Sequence, residues 1–179
     1  KRGVSKVISI SWDRWPGIGM ATGAGSGALN GGEKVHPLLG SLIEDSDERL
    51  VFFTELSSEK DWVLSEHLVM GIPTIAGTTY LEMARAAFEE VRGEGGAEIT
   101  DVIFLNPMAV KTGETREVFC ILSKSTDCYQ FTVISKTKGK DLEKSGWQEH
   151  VRCKIKALDI KNRKTSESEK GRKQVLEHM

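Results

Sequence analysis

Four side chains in this sequence can exchange protons near neutral pH: His36, His67, His150 and His178. An imidazole has an ordinary pKa of about 6.5 and so accepts a proton under physiological conditions. Local context separates the four. His178 falls in a charged carboxy-terminal stretch with few apolar anchors and is read as inert. His36 precedes Pro37 at the entrance to the main ordered region and is read as structural. His150 lies in an alternating stretch where Val151, Cys153 and Ile155 share one face and His150, Arg152, Lys154 and Lys156 the other. It is read as pointing outward, solvated or capping. His67 is different: it stands between the apolar Trp62-Val63-Leu64 and a turn feeding the strongest helix. The plain alternative for it is a hydrogen-bonded structural histidine.

The start of that helix supplies the other half of a chemical argument. Gly77 and Thr78 lie at its mouth, where unpaired N–H groups and the helix dipole favour an oxygen gaining negative charge. A thioester carbonyl placed there would have its α-proton acidified, with an imidazole base close by. That combination suits proton abstraction beside a thioester. Other chemistries have less support. Cys120, Cys128 and Cys153 are odd in number and lack CxxC spacing, which gives neither a disulfide framework nor a zinc site. They read as small buried or strand residues in a reducing, cytoplasmic setting. Gly17-x-Gly19-x-x-x-Gly23 follows a strand, but no helical periodicity comes after it, so it is not read as a phosphate loop.

The elements that must position these residues come next. At 179 residues the chain is long enough for one domain with flexible ends. A formal net charge of −1 speaks against nucleic acid as a partner, and no apolar run is long enough for a membrane span. Val4 to Trp12 reads as a strand and residues 21–34 as a Gly-rich linker. Strands are expected at Leu50–Leu56, Ile99–Leu105, Arg116–Leu122, Tyr129–Ser135 and Gln148–Ala157. Asp61–His67 reads as a turn or helical piece, Val69–Ile75 as a loop or short extended piece, and Lys136–Gly146 as a turn. The clearest helix runs from about Thr79 to Val91, with Thr79 and Glu82 spaced as a capping box and Leu81, Ala84, Phe88 and Val91 at helical spacing. Residues 161–179 read as a charged, flexible tail. The expected class is α+β, an antiparallel sheet wrapped around one central helix.

Three blocks in order carry a resemblance: His36-Pro37-Leu38-Leu39-Gly40, Trp62 to Gly71, and Ala76-Gly77-Thr78-Thr79-Tyr80-Leu81-Glu82-Met83-Ala84. With Trp147-x-x-His150 they resemble the amino-terminal half of the dehydratase domain of modular polyketide synthases, over about residues 36–157. Ser9 to Ala21 is similar to the end of a polyketide ketoreductase domain, which places residues 1–20 in an upstream unit and the dehydratase-like unit at 35–160. The resemblance implies a hot-dog fold, one half of a double hot dog. It implies dehydration of a 3-hydroxyacyl chain, carried on the phosphopantetheine of an acyl carrier protein, to a trans-2-enoyl thioester. No metal or resident cofactor is implied. His67 matches the base of the family's His-x-x-x-Gly-x-x-x-x-Pro motif, Gly71 matches its glycine, and Ala76 occupies the proline position. Gly71, Gly77 and Thr78 are the expected thioester and oxyanion loop. The family's acid, an Asp in a second helix, has no counterpart here. It would come from a second hot-dog half, and without that half the chain is expected to self-pair and to be inactive alone. Two alternatives stay open. One is a non-catalytic dehydratase-like module that shapes the synthase or holds an acyl chain. The other is a self-paired thioesterase or hydratase with Glu66 or Glu82 facing His67.

Overall fold

The computed structural model describes residues 34–93, 95–137 and 146–158. Alternating and continuous apolar runs fold there into nine strands and two helices. They are β1 (Lys34–His36), β2 (Gly40–Asp45), β3 (Arg49–Ser57), α1 (Trp62–Ser65), β4 (Leu68–Val69), β5 (Ile72–Pro73), α2 (Gly77–Arg92), β6 (Ala97–Phe104), β7 (Thr115–Lys124), β8 (Tyr129–Thr137) and β9 (Gly146–Ala157). The upstream strand, the Gly-rich linker, the charged tail and most of the expected 136–146 turn lie outside the described residues.

Seven strands pair antiparallel in the order β1-β2-β3-β7-β8-β9-β6, and α2 lies against one face of this sheet. The residues at the interface explain the close approach. Met83, Ala84 and Ala87 are fully buried on α2, and Tyr80 and Phe88 are nearly so. They meet Phe52, Leu56, Val118, Cys120, Phe131, Val133, Val151 and Ile155 from the sheet. Two fully buried alanines keep the cylinder thin where the strands curl around it. The other face of the sheet carries a second cluster of Val51, Phe53, Phe119, Ile121 and Ile134. Burial on both faces is why Leu50–Phe53 and Val118–Leu122 read as continuous apolar runs rather than alternating ones. The architecture is the expected hot dog, a sheet around a helix.

The turn from β1 to β2 contains the His36–Gly40 block. The Leu38 amide donates to His36 Nδ1 at 3.2 Å, and the Leu39 amide to the His36 carbonyl at 3.2 Å. Gly40 has φ +73°, and a Cβ there would lie 2.2 Å from the Phe53 carbonyl oxygen. Only glycine fits. His36 Nε2 also lies 3.7 Å from Glu82 on α2, so both ring nitrogens face groups of the fold.

Three local expectations need correction. The short strand β1 and all of β2 are absent from the sequence reading, since Gly-Ser-Leu-Ile-Glu-Asp alternates weakly and contains a bulge between Leu42 and Glu44. Helix α2 begins at Gly77 with Ala76 as its N-cap and no side-chain cap, so the Thr79–Glu82 capping box does not form. Glu82 instead receives hydrogen bonds from Arg85 Nε at 2.8 Å and Nη2 at 2.7 Å. His150 is buried, not outward. The cause is a bulge: Val133 pairs with Val151 but Ile134 pairs with Glu149, leaving His150 as the extra residue. Alternation breaks at that point, and His150 turns inward beside Val151.

Candidate active site

His67 follows α1 and opens a small hairpin in which Leu68 pairs with Pro73 and Val69 with Ile72. The turn residues Met70 and Gly71 have φ +51° and +78°. Positive φ at both central positions is what a tight two-residue hairpin turn demands. Gly71 is therefore fixed by its backbone: it sits at the hairpin tip next to a fully exposed Met70, with open space around its α-carbon.

The hairpin closes on itself through His67. The Thr74 amide donates to the His67 carbonyl at 2.9 Å, and His67 Nδ1 lies 2.6 Å from the Thr74 carbonyl oxygen. A carbonyl oxygen only accepts, so Nδ1 carries the hydrogen and Nε2 keeps the lone pair. Thr74 is itself held from several sides. Its hydroxyl donates to the Ile72 carbonyl at 2.9 Å, and it bridges to Ala109. The flanking residues are tied to the same segment, Ile75 N to Met108 O at 3.0 Å and Val110 N to Pro73 O at 2.9 Å. The ring is thus oriented by a main-chain carbonyl on a sewn-down strand, while the imidazole itself is exposed.

Three residues after Thr74 the helix begins. Ala76 has φ −71° and ψ 148°, the extended geometry that a proline ring would impose. The alanine at the motif's proline position therefore holds a backbone that a proline would also adopt. Gly77 and Thr78 form the uncapped first turn, both exposed. A cavity of about 360 Å³ opens at this helix mouth, lined by Gly77 and Tyr80 of α2, by Ile75, and by Phe104, Leu105, Asn106 and Pro107. A Cβ on Gly77 would stand 3.2 Å from the Phe104 ring, so the small residue keeps that wall close. Tyr80 is buried with its hydroxyl lacking a well-formed hydrogen bond, and burial holds its phenol above the ordinary value.

Of the residues singled out in the sequence, His67 is bonded to Thr74, three residues before the helix begins, and Gly77 lines the cavity, whose lining does not include His67. Thr78 adjoins it without lining it, and Gly71 stays at the hairpin tip. Glu82 has both carboxylate oxygens on Arg85, which with nearby His36 holds its pKa below the ordinary value. Glu66 is the exposed C-cap of α1. Thr74, Tyr80 and the Phe104–Pro107 wall escaped sequence reading. Thr74 acts through its main chain, which no residue type signals, and the wall is an apolar strand end followed by Asn106-Pro107. The cysteines are free: Cys120 and Cys153 are buried, with burial pushing their thiols up to about 12 and about 11. Among the described residues no group of His, Cys, Asp and Glu is arranged to hold a metal ion. No helix there is long and apolar enough to cross a membrane.

Comparison with known proteins agrees with this geometry. The chain is 34% identical over 90 residues to the polyketide synthase ThaG of Burkholderia thailandensis, covering 48% of this chain and 2% of that one. It is 26% identical over 113 residues to the polyketide synthase PksM of Bacillus subtilis, covering 60% of this chain and 3% of that one. Among solved structures it superposes on the dehydratase domain from the CurF module of the curacin polyketide synthase with a TM-score of 0.62 and 25% identity, covering 72% of this chain and 46% of that one. The chain thus spans a few hundredths of the curated synthases and about half of a solved dehydratase. Residues 36–136 match the polyketide synthase dehydratase domain, and on that match, with its hot-dog fold, the chain belongs to the polyketide synthase dehydratase family.

Proposed function

We propose that this chain is the base-bearing half of a dehydratase acting on a 3-hydroxyacyl thioester carried by an acyl carrier protein. The observation that carries the reading is the His67 Nδ1 contact to the Thr74 carbonyl, which leaves the lone pair on Nε2 and ties the ring to the segment that runs into α2 three residues later. In the reaction His67 Nε2 takes the proton from the carbon next to the thioester. The electron pair moves onto the thioester oxygen, where the Gly77 and Thr78 amides and the dipole of the 16-residue helix α2 offset the charge. The enolate then expels the β-hydroxyl, which leaves as water after taking a proton from an acid. The product is a trans-2-enoyl thioester. We place that acid on a second hot-dog half, since this chain spans 46% of a solved dehydratase. The partners in this reading are the carrier protein, the second half and neighbouring synthase domains, including a ketoreductase upstream. The free thiols fit a reducing, cytoplasmic setting.

The test is turnover of a 3-hydroxyacyl carrier-protein substrate by the complete domain. Replacing His67 with phenylalanine removes the base and should lower kcat by about a hundredfold or more. Turnover unchanged in His67→Phe would remove this residue from the chemistry.

A further inference from the structure

His150 is a buried polar centre that the mechanism does not use. It is 1% exposed, with Nδ1 3.0 Å from the Asn106 carbonyl oxygen and Nε2 2.8 Å from the Ser135 hydroxyl. The carbonyl only accepts, so Nδ1 carries the hydrogen, and the neutral ring accepts the Ser135 O–H at Nε2. The main chain repeats the link. The His150 carbonyl accepts from the amides of Leu105 at 2.8 Å and Asn106 at 3.4 Å, and the Asn106 side-chain amide donates to the Glu149 carbonyl at 2.8 Å. Leu105 and Asn106, with Phe104 and Pro107, form a wall of the cavity at the mouth of α2. The β9 bulge brings this about, because it turns His150 inward at the level where β6 ends.

We infer that His150 is a positioning residue: through the Asn106 carbonyl it sets the cavity wall, and so how the acyl chain is seated beside the base. The inference rests on the dehydratase reading above for its functional half, but its structural half can be read independently. A histidine that merely fills a buried site would not distinguish its two hydrogen bonds, whereas a positioning residue would.

Two substitutions separate these cases. Asparagine carries an amide N–H near the place of Nδ1, so His150→Asn keeps the bond to Asn106 and loses the one to Ser135. Glutamine carries a carbonyl oxygen near the place of Nε2, so His150→Gln does the reverse. Each variant loses one buried hydrogen bond. In the complete domain, with a 3-hydroxyacyl pantetheine thioester as substrate, His150→Gln should raise KM about tenfold with kcat nearly unchanged, the size of one lost buried hydrogen bond. His150→Asn should restore KM close to the parent value. In the 179-residue chain, hydrogen exchange at the Leu105 and Asn106 amides should be faster in His150→Gln than in His150→Asn. Equal behaviour of the two variants in both measurements would overturn the inference. A parent domain that binds no substrate and shows no turnover would defeat the dehydratase reading instead, and the exchange comparison would then decide the role of His150 alone. Where both variants fail to fold, Ser135→Ala serves. It retains the Asn106 link and should leave exchange at Leu105 and Asn106 unchanged, and acceleration there would also overturn the inference.

Discussion

His67 and His150 are the same side chain in opposite surroundings, and the acceptor on Nδ1 is a main-chain carbonyl in both. For His67 the other nitrogen is left free at an exposed position, whereas for His150 it is consumed by Ser135 in a dry interior. Burial is the chief reason that the His150 imidazole titrates below its ordinary value, and the nearby positive charge of Arg116 adds to the effect. A histidine whose folded pKa is depressed favours the neutral ring. Its contribution to stability is present above the unfolded pKa of about 6.5 and is lost as pH falls through the lower folded value. Urea unfolding should therefore show the midpoint declining from pH 7 to pH 5, with a shallower decline in His150→Gln. Parallel declines in the two proteins would show that this ring is not the titrating group. Glu82, held below its ordinary 4.5 chiefly by the hydrogen bond from Arg85, adds its own loss only at lower pH. The sequence singled out His67 from its neighbours, yet it misplaced His150. Alternation along β9 assigns every second residue outward, and a bulge is a pairing event whose partner lies on another strand.

Elements whose signal is local were legible, and those defined by pairing were not. The long helix and strands β3 and β6 to β9 stand within two residues of expectation because apolar spacing writes them directly. The start of α2 moved from Thr79 to Gly77 because a capping box is only one of several ways to begin a helix, and Glu82 is taken by Arg85. The residue before the helix gives a prediction. Ala76 already has φ −71°, and an N-cap amide has no intrahelical bond to lose. Ala76→Pro should therefore be accepted and should raise unfolding free energy by about 0.4–1 kcal/mol, through a stiffer unfolded chain. A loss of stability in urea titration would mean that Ile75, whose amide is bonded to Met108, cannot take the backbone that precedes a proline.

At the scale of the whole molecule the apolar surface is unevenly spread. Trp62, Leu68, Val69, Met70 and Ile72 are exposed around the His67 hairpin, and Ile103, Phe104 and Leu105 are exposed where β6 ends beside the cavity. Strand β6 is also an edge of the sheet, bonded to β9 on one side only among the described residues. An open edge flanked by apolar side chains is a template for further pairing, and soluble monomers rarely leave such a patch bare. Phe104 and Leu105 also line the cavity at the mouth of α2, so cover over the end of β6 would shield that cavity from water. A dehydratase of which this chain spans 46% has another half to supply that cover. The 179-residue chain by itself should therefore associate at micromolar concentration, with light scattering giving a mass of two copies or more, and the complete domain should bury the same patch within one chain. Met70→Lys together with Phe104→Lys should return the isolated chain toward one copy, because charge on the patch opposes its burial. A monodisperse single copy of the unmodified chain at high concentration would show that the hairpin and the β6 edge tolerate water. The site would then have to work as an open groove.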